Sequence, residues 1–332
     1  MSTADKALGA FAGLALGDAL GMPTQSMSRQ EIAEDYGDIG GFLPAGPRQR
    51  IAAGMPAGRV TDDTEQAVLL AELLIEHDGA LPADEFAHRL LAWERAMIAK
   101  DSLDLLGPST KAALQRLQDG EDPEVTGRGG STNGAAMRIA PVAISAPVHP
   151  RVPFLDAVQD SARITHNSSI GLAAAAAVGA AVSAGIDGAG AEEAVTAAAE
   201  YADLAERRAH WVAGGRIGPR VRWARTLLRE SDPADHSRLV TDLVGTSVAA
   251  QESVVAALAL AAVSTDPWAT VRTAAGLGGD TDTVAAMAGA VLGAVHGTAA
   301  WPAGAVAEVQ ERNGLDLEPL CAGLLAIRAK RT

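Results

Sequence analysis

The chain is expected to fold as an all-α protein, tightly packed and built of many helices, on three observations. Apolar residues recur at helical spacing through most of its 332 residues. The hydrophobic fraction of 48% is dominated by Ala, Leu and Val, with aromatics only 3%. Alanine is the best helix former, and small side chains let helices approach closely. No stretch alternates with period two for long enough to make a strand.

Taken in order, the pattern predicts helices over 4–20, 63–77, 83–99, 109–118, 134–144, 152–164, 169–184, 190–203, 219–229, 247–263, 267–275, 282–297, 302–312 and 317–330. Short connections rich in Gly, Pro, Asp or Ser separate them. Two are longer: 22–60, which contains GDIGGFLPAGP, and 119–133, which contains EDPEVTGRGGSTN. Long loops in a compact helical domain are usually functional or disordered. The uncharged run IGLAAAAAVGAAVSAGI at 170–186 is 17 residues of mostly Ala and Gly. It is too short and too weakly apolar for a membrane span, and reads as a buried helix. With no repeat of 20–50 residues and no clear linker, a single domain over 1–332 is expected.

Charge and cysteine usage narrow the partners. A formal net charge of −14 argues against a nucleic-acid backbone and against an anionic membrane surface. One cysteine, Cys321, excludes an intramolecular disulfide and suggests a reducing compartment. The start, MSTADKALGAFAGLALGDAL, has no basic n-region and does not read as a signal peptide. A cytoplasmic monomer is the expectation.

Two stretches carry the chemistry. In TDDTEQAVLL at 61–70, an aspartate at a helix start can accept backbone N–H bonds, but one cap satisfies that need. Two adjacent carboxylates, Asp62 and Asp63, repel unless a cation or a hydrogen-bond network offsets them, and hard divalent cations favour such oxygen ligands. In GGDTDTVAAM at 278–287, Asp280 and Asp282 again stand with two threonines at a helix mouth, behind glycines that permit a sharp entry. Two such entrances converging would form a two-cation site. The competing reading is two unrelated helix caps.

These stretches belong to an ordered set: GLALGDALGMP at 13–23, GRVTDDTEQAVLLAELL at 58–74, DLLGPSTKAAL at 104–114, GGSTNGAAMRIAPVA at 129–143, RITHNSSIG at 163–171 and GLGGDTDTVAAMAGAVLGAVHG at 276–297. In them the chain resembles the ADP-ribosylglycohydrolase family, which includes the glycohydrolase that reactivates dinitrogenase reductase. The resemblance implies that family's all-α fold, a compact many-helix orthogonal bundle, and two Mg²⁺ or Mn²⁺ ions gripping the vicinal hydroxyls of the ribose whose anomeric bond is cut. By motif position, Thr61, Asp62 and Asp63 would serve one ion and Asp280, Asp282 and Thr283 the other, with Asp63 and Asp282 facing both. Asp104 matches the general base of the dinitrogenase branch, with Asp101 as the fallback. Asp104 and Asp63 are thus the expected catalytic residues, in a reaction whose oxocarbenium character carboxylates stabilise.

The same resemblance reads GRGGSTNGAAMR, at 127–138, as a seat for pyrophosphate. Glycine-turn N–H groups bind anions without lysine, although the stretch alone would also suit a capped flexible loop. Ser131, Asn133, Gly134, Met137 and Arg138 are the substrate-binding candidates there, joined by His166 and Asn167 near the distal nucleotide. Asp18 is either an organiser of the site or a substrate contact. One departure matters: Gln25 stands where many relatives carry a glutamate, and an amide can be neither a general base nor a charged ligand.

Only Tyr36 and Phe42, on the 22–60 loop, offer platforms for an adenine, so weak adenine recognition is expected. The expected substrate is ADP-ribose, attached to a protein side chain or a small molecule. The alternatives are a nucleosidase-like hydrolase of a smaller N-ribosyl metabolite and a catalytically inactive ADP-ribose binder. Two intact acidic motifs weigh against the binder.

Overall fold

In the computed structural model of the chain, residues 1–100, 102 and 106–331 are described. Among them are eighteen α-helices and no β-structure beyond three isolated bridges. In chain order they are α1 (Thr3–Gly21), α2 (Arg29–Asp35), α3 (Asp62–Glu76), α4 (Ala83–Ala99), α5 (Pro108–Gln118), α6 (Pro123–Thr126), α7 (Gly134–Met137), α8 (Ala140–Ser145), α9 (Arg151–His166), α10 (Gly171–Ile186), α11 (Ala191–Ala205), α12 (Ile217–Arg229), α13 (His236–Leu239), α14 (Ala250–Ala262), α15 (Pro267–Ala275), α16 (Thr281–His296), α17 (Ala305–Asn313) and α18 (Leu317–Arg331). No described helix is long and apolar enough to cross a membrane.

The architecture is the expected all-α bundle, and its elements start where capping chemistry starts them. Ser2 accepts the Asp5 N–H at 3.1 Å ahead of α1, and Asp266 accepts the Ala269 N–H at 3.1 Å ahead of α15. Pro108 opens α5, where a missing N–H costs nothing. The Ala-rich run forms α10, and every one of its residues is buried, against α9, α11 and α16. A helix apolar on all sides belongs in the interior.

Three expectations are corrected. The helix expected over 134–144 is two, α7 and α8. Pro141 cannot donate to the carbonyl four residues back, and its ring clashes with that carbonyl, so the chain breaks at Arg138–Ile139. The two long connections contain short helices: α2 behind a Ser28/Glu31 capping box, and α6 behind Asp122. Segments this short give too few residues for a 3.6 period to register. Likewise α13 and the π turn Val240–Val244 fall in a stretch expected to be irregular.

The site depends on the antiparallel pair α1 and α16. Gly9, Gly13, Gly17 and Gly21 recur every fourth residue and form one face of α1. A Cβ on Gly13 would lie 2.2 Å from the Gly289 carbonyl oxygen, and one on Gly17 would lie 2.1 Å from that of Ala285. On Gly21 it would lie 2.4 Å from the Cα of Asp282. Only bare backbones fit at this separation, the same small-residue seam that lets membrane helices touch. The end of α1 is therefore pressed against the first turn of α16, where the second acidic motif sits.

Candidate active site

The fold brings the two acidic turns together. The Thr283 hydroxyl donates to Asp63 Oδ2 at 3.1 Å, across 220 residues of sequence. Gly278 and Gly279, with φ of +84° and +80°, shape the entry to α16. An isolated bridge fixes that loop: Ser26 N donates to Gly279 O at 2.7 Å, and Gly279 N to Met27 O at 2.9 Å. Asp280 N donates to Thr246 O at 2.7 Å, and the Asp280 carboxylate accepts the Asn133 amide at 2.5 Å. A second bridge, Thr132 with Ala249, holds the Gly-rich loop, where Asn133 N donates to Val248 O at 3.0 Å and Ala250 N to Ser131 O at 3.1 Å.

Asp18 organises the first turn. Its fully buried carboxylate accepts from the N–H and hydroxyl of Thr61 and from the N–H and hydroxyl of Thr64. It thereby does from α1 what an N-cap side chain would do for α3, and the Thr61 side chain makes no cap bond of its own. Residues 17–21 of α1 thus hold both turns, one through Asp18 and the other through Gly21. Of the two roles open to Asp18, the geometry carries the organising one.

The electrostatics are those of an acid cluster short of positive charge. Burial, then the charges of Asp62, Asp282, Asp18 and Asp280, pushes the Asp63 carboxyl well above the usual range. Burial also pushes Asp18 up to about 6 against its hydrogen bonds from Thr64 and Thr61. Asp280 is raised too, burial outweighing the bonds from Asn133 and Thr283. Asp63 Oδ1 is buried with no hydrogen-bond partner among the described residues. Four carboxylates, Asp62, Asp63, Asp280 and Asp282, and the hydroxyls of Thr61 and Thr283, with one Asp63 oxygen unpaired among the described residues, fit a hard divalent cation.

Above these turns lies a cleft of about 250 Å³, lined by Asp62, Asp280, Thr283, Thr132, Asn133, Gly134, Met137, Val248, Gln25, Ile51, Thr110 and residues 106–108. Of the expected substrate contacts, Asn133, Gly134 and Met137 therefore face it. The others do not line it. The Ser131 carbonyl is used by Ala250. Arg138 and His166 are buried behind the wall, and Asn167 donates to Glu124 O at 3.0 Å. Tyr36 bonds Pro23 O and Gly46 N, and Phe42 meets the edge of Trp268 at 6.1 Å; neither reaches the cleft. Asp104 and Asp101 lie outside the described residues.

Sequence reasoning missed Thr132 and Gln66 as parts of this site. It flagged Gln25 only as a departure, yet Gln25 lines the cleft with a buried amide nitrogen that has no partner among the described residues. Their signal was position, inside or beside motifs already singled out.

The all-helical fold is that of the ADP-ribosylglycohydrolases, hydrolases of ADP-ribose glycosidic linkages. The family model described as ADP-ribosylglycohydrolase matches residues 1–332, and the chain belongs to that family. It is 33% identical over 329 residues to "Uncharacterized protein YegU" of Escherichia coli (strain K12), covering 98% of each chain. It is 32% identical over 183 residues to the "ADP-ribosyl-[dinitrogen reductase] glycohydrolase" of Rhodospirillum rubrum, covering 54% of this chain and 57% of that one. A solved structure described as "ADP-ribosylglycohydrolase-related protein complex" superposes with a TM-score of 0.72 at 28% identity, over 100% of this chain and 99% of the other.

Proposed function

We propose that the protein is a divalent-metal-dependent hydrolase that cleaves the glycosidic bond between the ribose of ADP-ribose and a modified side chain or small molecule. The observation that carries this is the contact of Thr283 with Asp63 beneath the cleft, beside an Asp63 oxygen with no partner among the described residues. Thr61, Asp62, Asp63, Asp280, Asp282 and Thr283 are the residues that would hold two Mg²⁺ or Mn²⁺ ions. Bound there, the ions supply the positive charge that fixes the vicinal ribose hydroxyls.

The chain's own groups do the rest. Asn133 orients Asp280 through their hydrogen bond, while Gly134, with no side chain, leaves room in the cleft for substrate. Gln25 offers a neutral donor where a charged carboxylate would repel Asp62 and Asp280. Asp104, with Asp101 as the fallback, is proposed as the base that takes the proton of the attacking water; residues 106–108, just beyond it, line the cleft.

A second reading is favoured by one observation. None of the described lining residues is aromatic, and neither are residues 101 and 103–105. A smaller N-ribosyl compound, with no adenine to stack, suits such a cleft. Calorimetric titration of ADP-ribose in the presence of Mg²⁺ tests the choice. Binding with a micromolar Kd supports the first substrate, and no binding at millimolar ligand turns the assignment to the smaller one. Asp104→Asn is expected to keep ligand affinity and lose turnover; a retained rate removes Asp104 from the mechanism.

A further inference from the structure

A continuous line of hydrogen bonds runs behind the cleft, and both of its ends emerge in it. Asp62 accepts the Gln66 amide at 2.8 Å, and Gln66 Oε1 accepts Arg138 Nη1 at 2.8 Å. Arg138 Nη2 donates to Thr165 Oγ1 at 2.8 Å, which meets His166 Nδ1 at 2.8 Å. His166 Nε2 then meets Thr132 Oγ1 at 2.9 Å. Gln66, Arg138, Thr165 and His166 are each at most 1% exposed, whereas Asp62 and Thr132 line the cleft.

A guanidinium is always a donor, so its position fixes the direction of every other bond in the line. On one side it claims Gln66 Oε1, which leaves the Gln66 NH₂ to donate to Asp62 and hold that carboxylate in place. On the other side Thr165 accepts from Arg138, and among the described residues its own buried hydroxyl proton has one acceptor in reach, His166 Nδ1. A bare Nδ1 requires the proton on Nε2 in a neutral imidazole, and burial and the Arg138 charge hold His166 well below its ordinary pKa. Nε2–H therefore donates to Thr132. The Thr132 hydroxyl proton has no acceptor among the described residues and is left to point into the cleft.

We propose that Arg138 is a positioning residue whose relay, through Gln66 to Asp62 and through Thr165 and His166 to Thr132, makes the Thr132 hydroxyl a donor to an acceptor oxygen of the bound ribosyl substrate. The substrate end rests on the function proposed above; the relay itself does not. Thr132 is thus a substrate contact, and His166 acts through it without touching the ligand.

Three measurements test this. First, long-range ¹H–¹⁵N spectra of the metal-free protein, with the His166 signal assigned by its loss in His166→Gln, are expected to show Nε2 protonated and Nδ1 bare. The opposite tautomer overturns the relay, whatever the substrate. Second, Thr132→Val is expected to weaken Mg²⁺-dependent ADP-ribose binding about tenfold with the melting temperature little changed, and Thr132→Ser to restore it. Adenosine distinguishes the acceptor: a parallel loss points to a sugar oxygen, a loss confined to ADP-ribose to a phosphate oxygen, and no loss with either ligand overturns the contact. His166→Gln, which keeps a donor near Thr132, is expected to bind better than His166→Asn, which does not. Third, Gln66→Met is expected to lower Mn²⁺ affinity about tenfold by electron paramagnetic resonance, the effect of losing one partner behind a metal ligand. Unchanged affinity there breaks the Asp62 arm. Wild-type protein that binds neither Mn²⁺ nor ADP-ribose removes the proposed function, while the tautomer still decides the relay.

Discussion

At its N-terminus α3 carries Asp62 and Asp63; at its C-terminus, about 20 Å away, Glu76 and His77 meet Glu85 of α4. By proximity alone the second cluster is the better cation site. Its three side chains offer ligand atoms within 4.8 Å of one another, and among the described residues it is the one trio of His, Cys, Asp or Glu that does. Yet Arg89 donates to both glutamates and holds their carboxyls below the usual range, and water reaches the group. At the other end Asp63 is 1% exposed, is raised well above its usual range, and has an oxygen with no partner among the described residues. Closeness of acids does not mark a cation site; burial without compensation does.

The largest expected effect comes from removing the buried charge. Asp63→Asn or Asp282→Asn should abolish turnover and the Mg²⁺-dependent rise in melting temperature. Without metal, Asp63→Asn should be more stable than the parent by about 1–2 kcal/mol, since a repelling buried carboxylate is gone. Intact Mn²⁺ binding in both variants would equate the two ends of α3.

Next comes the seam that presses the second turn into place. A Cβ at Gly17 or Gly21 meets α16 backbone at 2.1 or 2.4 Å, so either alanine variant should lose about 3 kcal/mol or more in chemical denaturation. Gly21→Ala should also weaken Mn²⁺ binding, because the collision is with Asp282 itself. Weakened stability with unchanged metal affinity would mean that the turns do not depend on α1.

Acidity sharpens the contrast further. The Asp18 carboxyl is raised from 3.8 to about 6, so the unfolded chain ionises first. This group therefore favours the metal-free fold at low pH and withdraws that support between about pH 4 and 6, by about 2–3 kcal/mol. Asp63 extends the decline to higher pH. Melts in EDTA from pH 4 to 8 should fall relative to melts in saturating Mg²⁺, whose gap widens with pH. A constant gap would refute the buried-acid account.

The smallest effect belongs to the exposed end. Arg89→Ala or Glu85→Gln should leave the melting temperature and the Mn²⁺ affinity little changed.

How much of this was legible beforehand depends on what each residue's neighbours are. The helical class and nearly every long helix followed from local period, which needs only residues a few places apart. Asp62, Asp63, Asp280 and Asp282 stood out because like charges side by side are locally improbable without a reason. What stayed hidden was set by partners far along the chain. The fourfold glycine spacing of α1 was present in the sequence, but only the facing glycines of α16 give it meaning. His166 and Arg138 look like ligand contacts in a motif, yet they are sealed behind Thr132, and no local pattern says which side of a wall a residue occupies. Pro141, by contrast, announced the break between α7 and α8 and was passed over.

The pairing of α1 with α16 also bears on how the polypeptide matures. The first helix leaves the ribosome with a naked glycine groove, and the segment that fills it follows about 260 residues later. Until then Asp18 can dress the first acidic turn while Gly21 has no second turn to seat, and closing so long a loop is slow as well as entropically costly. A nascent or truncated chain that stops short of residue 281 therefore presents a sticky backbone face with no chemistry attached, a natural client for chaperones and proteases.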